Sequence, residues 1–167
     1  MDPGSRRPQP VDGDERSTTL GWLGYYRDTM AVKCHGLTPA QLAHRAAAPS
    51  HLSLLGLVRH LAEMEHAYGS WPLTVDTPLE WVWGDYADDA ENDIDCGPDD
   101  TDTSFATWHR QCAATDAVVA AQPDLDAAAP ANGMSVRWNL AKLVGEYARH
   151  CGHADLIRER IDGATGE

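Results

Sequence analysis

The sequence is short of lysine and of long apolar runs, and each shortage excludes something. Lys33 and Lys142 are the only lysines among 13 basic residues; 26 acidic residues oppose them, and the formal charge is −13. That excess opposes binding to nucleic acid or to an anionic membrane through a general electrostatic patch. No apolar run approaches the about 20 residues that a membrane-spanning helix requires. The first residues, MDPGSRRPQPVDGDE, lack the apolar core of a secretion signal, so the expected compartment is the cytoplasm. The four cysteines (Cys34, Cys96, Cys112 and Cys151) form no CxxC pair and lie far apart, which in a reducing compartment makes them free thiols. There is no internal repeat. Residues 73–100 are rich in Asp and Glu but lack the spacing of a calcium-binding loop.

What is present is helical periodicity. Residues 1–13, rich in Pro, Gly, Arg and Asp, read as a mobile tail, and 14–167 as a single domain. Asp14 or Ser17 caps a first helix running to about Cys34, and Gly36 ends it. Thr38-Pro39 starts a short helix to about Ala47, closed by Pro49. Ser53 opens a second long helix with a stripe of Leu54, Leu57, Leu61, Met64 and Tyr68, ended by Pro72. Thr103 to about Ala121 forms a third. Residues 133–138 could start as a short strand, but Ser135 to about Asp162 reads as one long amphipathic helix with Gly163 as its stop. Four long helices predict an all-α four-helix bundle with almost no strand and a long acidic loop between the second and third.

Bundles build metal sites from inward-facing residues on neighbouring helices. His60 lies on the stripe side of the second long helix. Glu146 and His150, four apart, point from one face of the last. Two imidazoles and a carboxylate suit zinc with one open position, and nickel or iron would also accept them. His153 competes for the third position, and Glu63 does so more weakly. Simpler readings compete: His60 as a hydrogen-bonded core histidine, Glu146 as a surface carboxylate paired with Lys142 or Arg149, and His150 and His153 as boundary residues. His35, His44, His51, His66 and His109 carry no assigned role, and Cys151 reads as a small core residue.

The segments WLGYYRDTMAVKCHGLT (22–38), PSHLSLLGLVRHLAEMEH (49–66) and SVRWNLAKLVGEYARHCGHADLIRERIDGATGE (135–167) carry a resemblance. With them the chain from Asp14 onward resembles the DinB-like metalloprotein superfamily, in the actinobacterial branch that includes mycothiol-dependent enzymes. The resemblance implies that His60, Glu146 and His150 hold a divalent metal. Many relatives have histidine where Glu146 stands, and the carboxylate version resembles the mycothiol-dependent maleylpyruvate isomerase type. His153 then becomes a neighbour of the metal or a substrate group. Arg137 and Arg149 are candidate anchors for carboxylates, or structural ion pairs. Trp81, Trp83 and Trp138 are candidates to line an electrophile pocket, or packing residues.

The resemblance implies a thiol S-transferase or isomerase, with mycothiol, bacillithiol or glutathione as cosubstrate, acting on a small electrophile, as in detoxification. Its partners would be small molecules and, as in relatives of this kind, a second copy in a homodimer. Two other functions stay open: a metal-dependent hydrolase with Glu63 or His153 as base, and a non-catalytic metal-stabilised bundle that binds a ligand.

Overall fold

A computed structural model of the chain describes residues 5–74, 78–84 and 93–166. The described residues form helices and no sheet: α1 (Glu15–Cys34), the short α2 (Pro39–Leu42), α3 (Leu54–Met64), α4 (Thr101–Ala120) and α5 (Val136–Asp162). The caps follow from the sequence. Asp14, Thr38, Ser53 and Ser135 each accept a backbone N–H of the first helical turn. At the far end of α5, Gly163 takes the left-handed conformation, φ 81°, that ends a helix without a Cβ clash. α1 packs chiefly on α5, and α3 on α4, closing an all-α bundle.

Leu23, Met30, Leu54, Leu57, Leu61, Leu143 and Ile157 are buried in the main core. A smaller cluster, Leu73, Val119, Ala129, Val136 and Leu140, closes the other end. Each fully buried leucine contributes about 1.5–3 kcal/mol by leaving water.

Some elements differ from the sequence expectation. The short helix stops at Leu42 instead of Ala47, and beyond it Ala46 offers its carbonyl to the Arg160 guanidinium (2.7 Å) and not to a further helical turn. The second long helix is α-helical only to Met64; Glu65–Ser70 widens into a π-helical turn, and Trp71–Leu73 tightens into a 3-10 turn. The cause is visible from α4. Thr115 Oγ1 donates to the Glu65 carbonyl (3.1 Å), and Gly69 lies so close to Thr115 that a Cβ there would come within 2.2 Å of its hydroxyl. The strand considered at 133–138 reduces to an isolated bridge between Ala128 and Ser135. Within the acidic stretch, residues 78–84 and 93–97 have no helix or strand; Tyr86 lies outside the described residues. Residues 5–13 carry no helix either, yet the Arg7 guanidinium and backbone N–H both donate to Asp28 on α1.

The four long helices meet at one buried carboxylate. Glu65 accepts two hydrogen bonds from Arg27 of α1 (2.7 Å each) and one from the Tyr147 hydroxyl of α5 (2.7 Å). Trp108 of α4 donates its indole N–H to the same hydroxyl at 2.7 Å. Burial alone would push the Arg27 guanidinium down, but the Glu65 charge and hydrogen bonds outweigh it, so Arg27 is held above its ordinary range. Tyr147 is raised by burial and by the Glu65 charge, and its hydroxyl stays protonated to donate.

Breaking this set from either side has a predictable cost. Arg27→Met strands a buried carboxylate and should lower stability by about 3–5 kcal/mol. Tyr147→Phe removes one donor and one acceptor and should cost about 1–3 kcal/mol. Urea unfolding at neutral pH checks both; midpoints equal to wild type would contradict the network's role.

Candidate metal centre

His60 projects from α3, and Glu146 and His150 project from α5, toward a common point. One ligand atom from each lies within 4.8 Å of the other two. The His60 and His150 rings meet edge to face with centroids 4.5 Å apart. Glu146 Oε2 is 4.0 Å from His60 Nε2 and 3.4 Å from His150 Nε2, both long for a hydrogen bond. The other carboxylate oxygen, Oε1, accepts from the Lys142 ammonium one turn earlier. Oε2 and the two imidazole nitrogens thus converge without bonding one another closely.

The neighbours fix which nitrogens face inward. Asp93 Oδ2 lies 2.5 Å from His60 Nδ1, and the Asp93 side chain is almost fully buried. A carboxylate there accepts a hydrogen bond from the Nδ1–H tautomer, which leaves the Nε2 lone pair directed at Glu146. His150 Nδ1 lies 3.3 Å from His153 Nδ1, so His153 stands behind His150, on the side away from the carboxylate. Burial, with the positive charge of neighbouring His60 and His153 when protonated, lowers the His150 pKa from the ordinary 6.5 to about 4; near neutrality it is the unprotonated, ligating form. Burial pushes the Glu146 carboxyl up, but the Lys142 hydrogen bond and charge, aided by the histidines, more than offset this, and it stays ionised. Two imidazole nitrogens and a carboxylate oxygen converging on one point match the donor set of a divalent transition metal.

The outer face of α3 ties the loop to this centre. Gly56 has no Cβ, which would otherwise come within 2.6 Å of the Ile94 carbonyl. Arg59 donates to the Asp93 carbonyl (2.9 Å) and lies over the Trp83 ring, 3.9 Å from its centroid. Trp83 in turn donates its indole N–H to the Arg59 carbonyl at 2.9 Å. Glu63, fully buried, accepts from the backbone N–H groups of Val82 and Trp83. Burial raises its pKa despite those bonds. Beside the three ligand candidates opens an apolar cavity of about 460 Å3, lined by Leu52, Leu57, Met64, Trp81 and Ile94, with His60, Asp93 and His150 at its polar end.

The remaining candidates from the sequence take different places. Glu63 is committed to the loop backbone. Arg137 bridges Glu15 and Asp126 and makes a structural ion pair away from the centre. Arg149 is exposed. Trp81 lines the cavity, Trp83 packs under Arg59, and Trp138 rests against Tyr68 with ring centroids 6.2 Å apart. Asp93 was not singled out by its sequence; it is one acid in a run of acids, and only its place against His60 distinguishes it.

Comparison with known proteins gives a family model described as mycothiol-S-transferase, matching residues 18–163. No curated protein and no solved structure matches the chain.

The lowered His150 pKa has a measurable consequence. In metal-free protein the unfolded state takes up a proton at His150 below about 6.5, while the folded state resists until about 4. Stability should therefore fall as the pH drops through that window, and His150→Gln should lose less of it. Urea midpoints across the window check this; parallel profiles would contradict it.

Proposed function

The chain belongs to the mycothiol-S-transferase family, a DinB-like family, and from that membership we propose that it is a metal-dependent transferase joining a low-molecular-weight thiol to a small apolar electrophile. The observation that carries the metal dependence is the convergence of His60 Nε2, His150 Nε2 and Glu146 Oε2. Those three side chains are the proposed ligands, with zinc as the metal that best suits them and nickel or iron as substitutes. A cation held there supplies the positive charge that turns a thiol, ordinarily titrating near about 8.5, into its nucleophilic anion at neutral pH.

The chain's own residues do the rest. Asp93 holds the His60 Nδ1 proton and so keeps Nε2 free. Lys142 occupies Oε1 of Glu146 and leaves Oε2 to the ligand set. Leu52, Leu57, Met64, Trp81 and Ile94 form an apolar wall where an apolar electrophile can lie beside the sulfur. The thiol loses its S–H proton to solvent, the sulfur bonds to the electrophilic carbon, and the leaving group departs with the electron pair of the broken bond. The hydrolytic alternative needs a general base, and its first candidate, Glu63, already accepts from Val82 and Trp83. A reducing cytoplasm suits both the thiol cosubstrate and four unpaired cysteines.

Elemental mass spectrometry on protein purified without a metal-affinity tag tests the site. About one zinc or nickel per chain is expected in wild type, with none in His150→Ala. Asp93→Asn should keep the fold but bind zinc about 10–100-fold more weakly in competition with a chromophoric chelator. Turnover of an alkylating electrophile should require mycothiol. Metal-free wild type after incubation with zinc, or turnover without added thiol, would sink the reading.

A further inference from the structure

Resting on that transferase reading, we propose that Tyr68, Trp138 and Lys142 form a separate subsite for the sugar and cyclitol rings of the thiol cosubstrate, leaving the apolar cavity to the electrophile. Trp138, Lys142, Glu146 and His150 recur at steps of four along α5 and so share one face. Contacts connect them outward from the ligand set. Lys142 bonds Glu146, its ammonium lies 5.3 Å from the centroid of the Tyr68 ring, and Tyr68 meets Trp138 edge to face. Trp138 remains 44% exposed and Met134, just before the start of α5, 46%. A half-exposed indole, fixed in angle by a second aromatic ring, is a stacking platform with an open face.

The chemistry of the two flanks differs. The cavity walls are apolar, and a polyol buried there would leave hydroxyl groups without partners. The strip offers aromatic faces for the C–H side of a ring. It also offers the Lys142 ammonium, which has three N–H donors and gives one to Glu146. Hydroxyl groups there stay in reach of water. The span fits as well: eight residues of helix put Trp138 about 12 Å along the axis from Glu146. That distance suits a thiol whose sulfur sits on a cysteinyl arm and whose other end is two linked six-membered rings. A short thiol without rings could reach the ligand set but not the strip.

The test compares mycothiol with N-acetylcysteine, which has the same thiol arm and no rings, using chlorodinitrobenzene as electrophile. In Trp138→Ala the ratio of kcat/KM for mycothiol over N-acetylcysteine should fall about tenfold, mostly through KM for mycothiol. Trp138→Tyr, which keeps an aromatic face, should recover most of it. An unchanged ratio, or a change confined to KM for chlorodinitrobenzene, would overturn the assignment. A second measurement does not depend on turnover or metal. Titration calorimetry of the S-methyl ether of mycothiol into metal-stripped protein should give a Kd about tenfold weaker for Trp138→Ala than for wild type. Equal Kd values, or no binding to wild type, would overturn the subsite. Absence of thiol-dependent turnover in the zinc-loaded enzyme would instead count against the transferase reading alone.

Discussion

The Glu65 carboxylate is the point on which the bundle depends. It is fully buried, and its charge is matched by Arg27 of α1 and its lone pairs by Arg27 and by Tyr147 of α5, while Trp108 of α4 completes the Tyr147 hydroxyl. A buried ion pair adds little net stability over well-packed apolar residues. What this one does is tie α5 to α1 and to the turn after α3 through the Tyr147 hydroxyl. With Tyr147 pinned inward, the preceding residue, Glu146, faces the neighbouring groove, and His150 follows one turn later. The widened turn at Glu65–Ser70 belongs to the same arrangement, since it lets Glu65 reach the core while α3 keeps His60 at the groove.

From that anchor the site is built in two tiers. The three ligand candidates come from helices α3 and α5, and their orientation comes from residues that touch them. Asp93 sets the His60 proton, Lys142 holds one Glu146 oxygen, and His153 backs His150. The loop that brings Asp93 and Trp81 is itself held by side chains of α3: Arg59 and Glu63 through hydrogen bonds, and Gly56 through the space it leaves. One helix therefore contributes a ligand candidate and also secures the loop that orients that ligand and walls the cavity. A disturbance of α3 should be felt at both.

Much of this was legible in the sequence because it is local. The capping residues Asp14, Thr38, Ser53 and Ser135, the stop at Gly163, and the four-residue step from Glu146 to His150 are one-dimensional signals with direct physical causes. The family, too, was legible in the helix segments around His60 and His150, and its model spans residues 18–163. What was hidden depends on partners distant in the chain. Glu65 reads as an ordinary polar position in LAEMEH and Glu63 as a weak ligand or base candidate, yet both are fully buried, because Glu63 meets loop amides and Glu65 meets Arg27. The π-helical turn has no composition of its own and follows from Thr115 and Gly69. Arg137 was open between an anchor for substrate and a structural ion pair, and Glu15, 122 residues away in the chain, makes it the ion pair.

Under the proposed function, His60, Glu146 and His150 would hold a divalent metal whose charge would activate the sulfur of the thiol. Cobalt substitution tests it most directly, because Co(II) reports its ligands in its spectrum. Cobalt-loaded protein titrated with mycothiol should gain an intense near-ultraviolet sulfur-to-cobalt charge-transfer band, absent in His150→Ala. Cobalt that binds at wild-type stoichiometry but keeps the same spectrum at saturating mycothiol would contradict the claim, since the metal would then be structural and the thiol's chemistry would lie elsewhere.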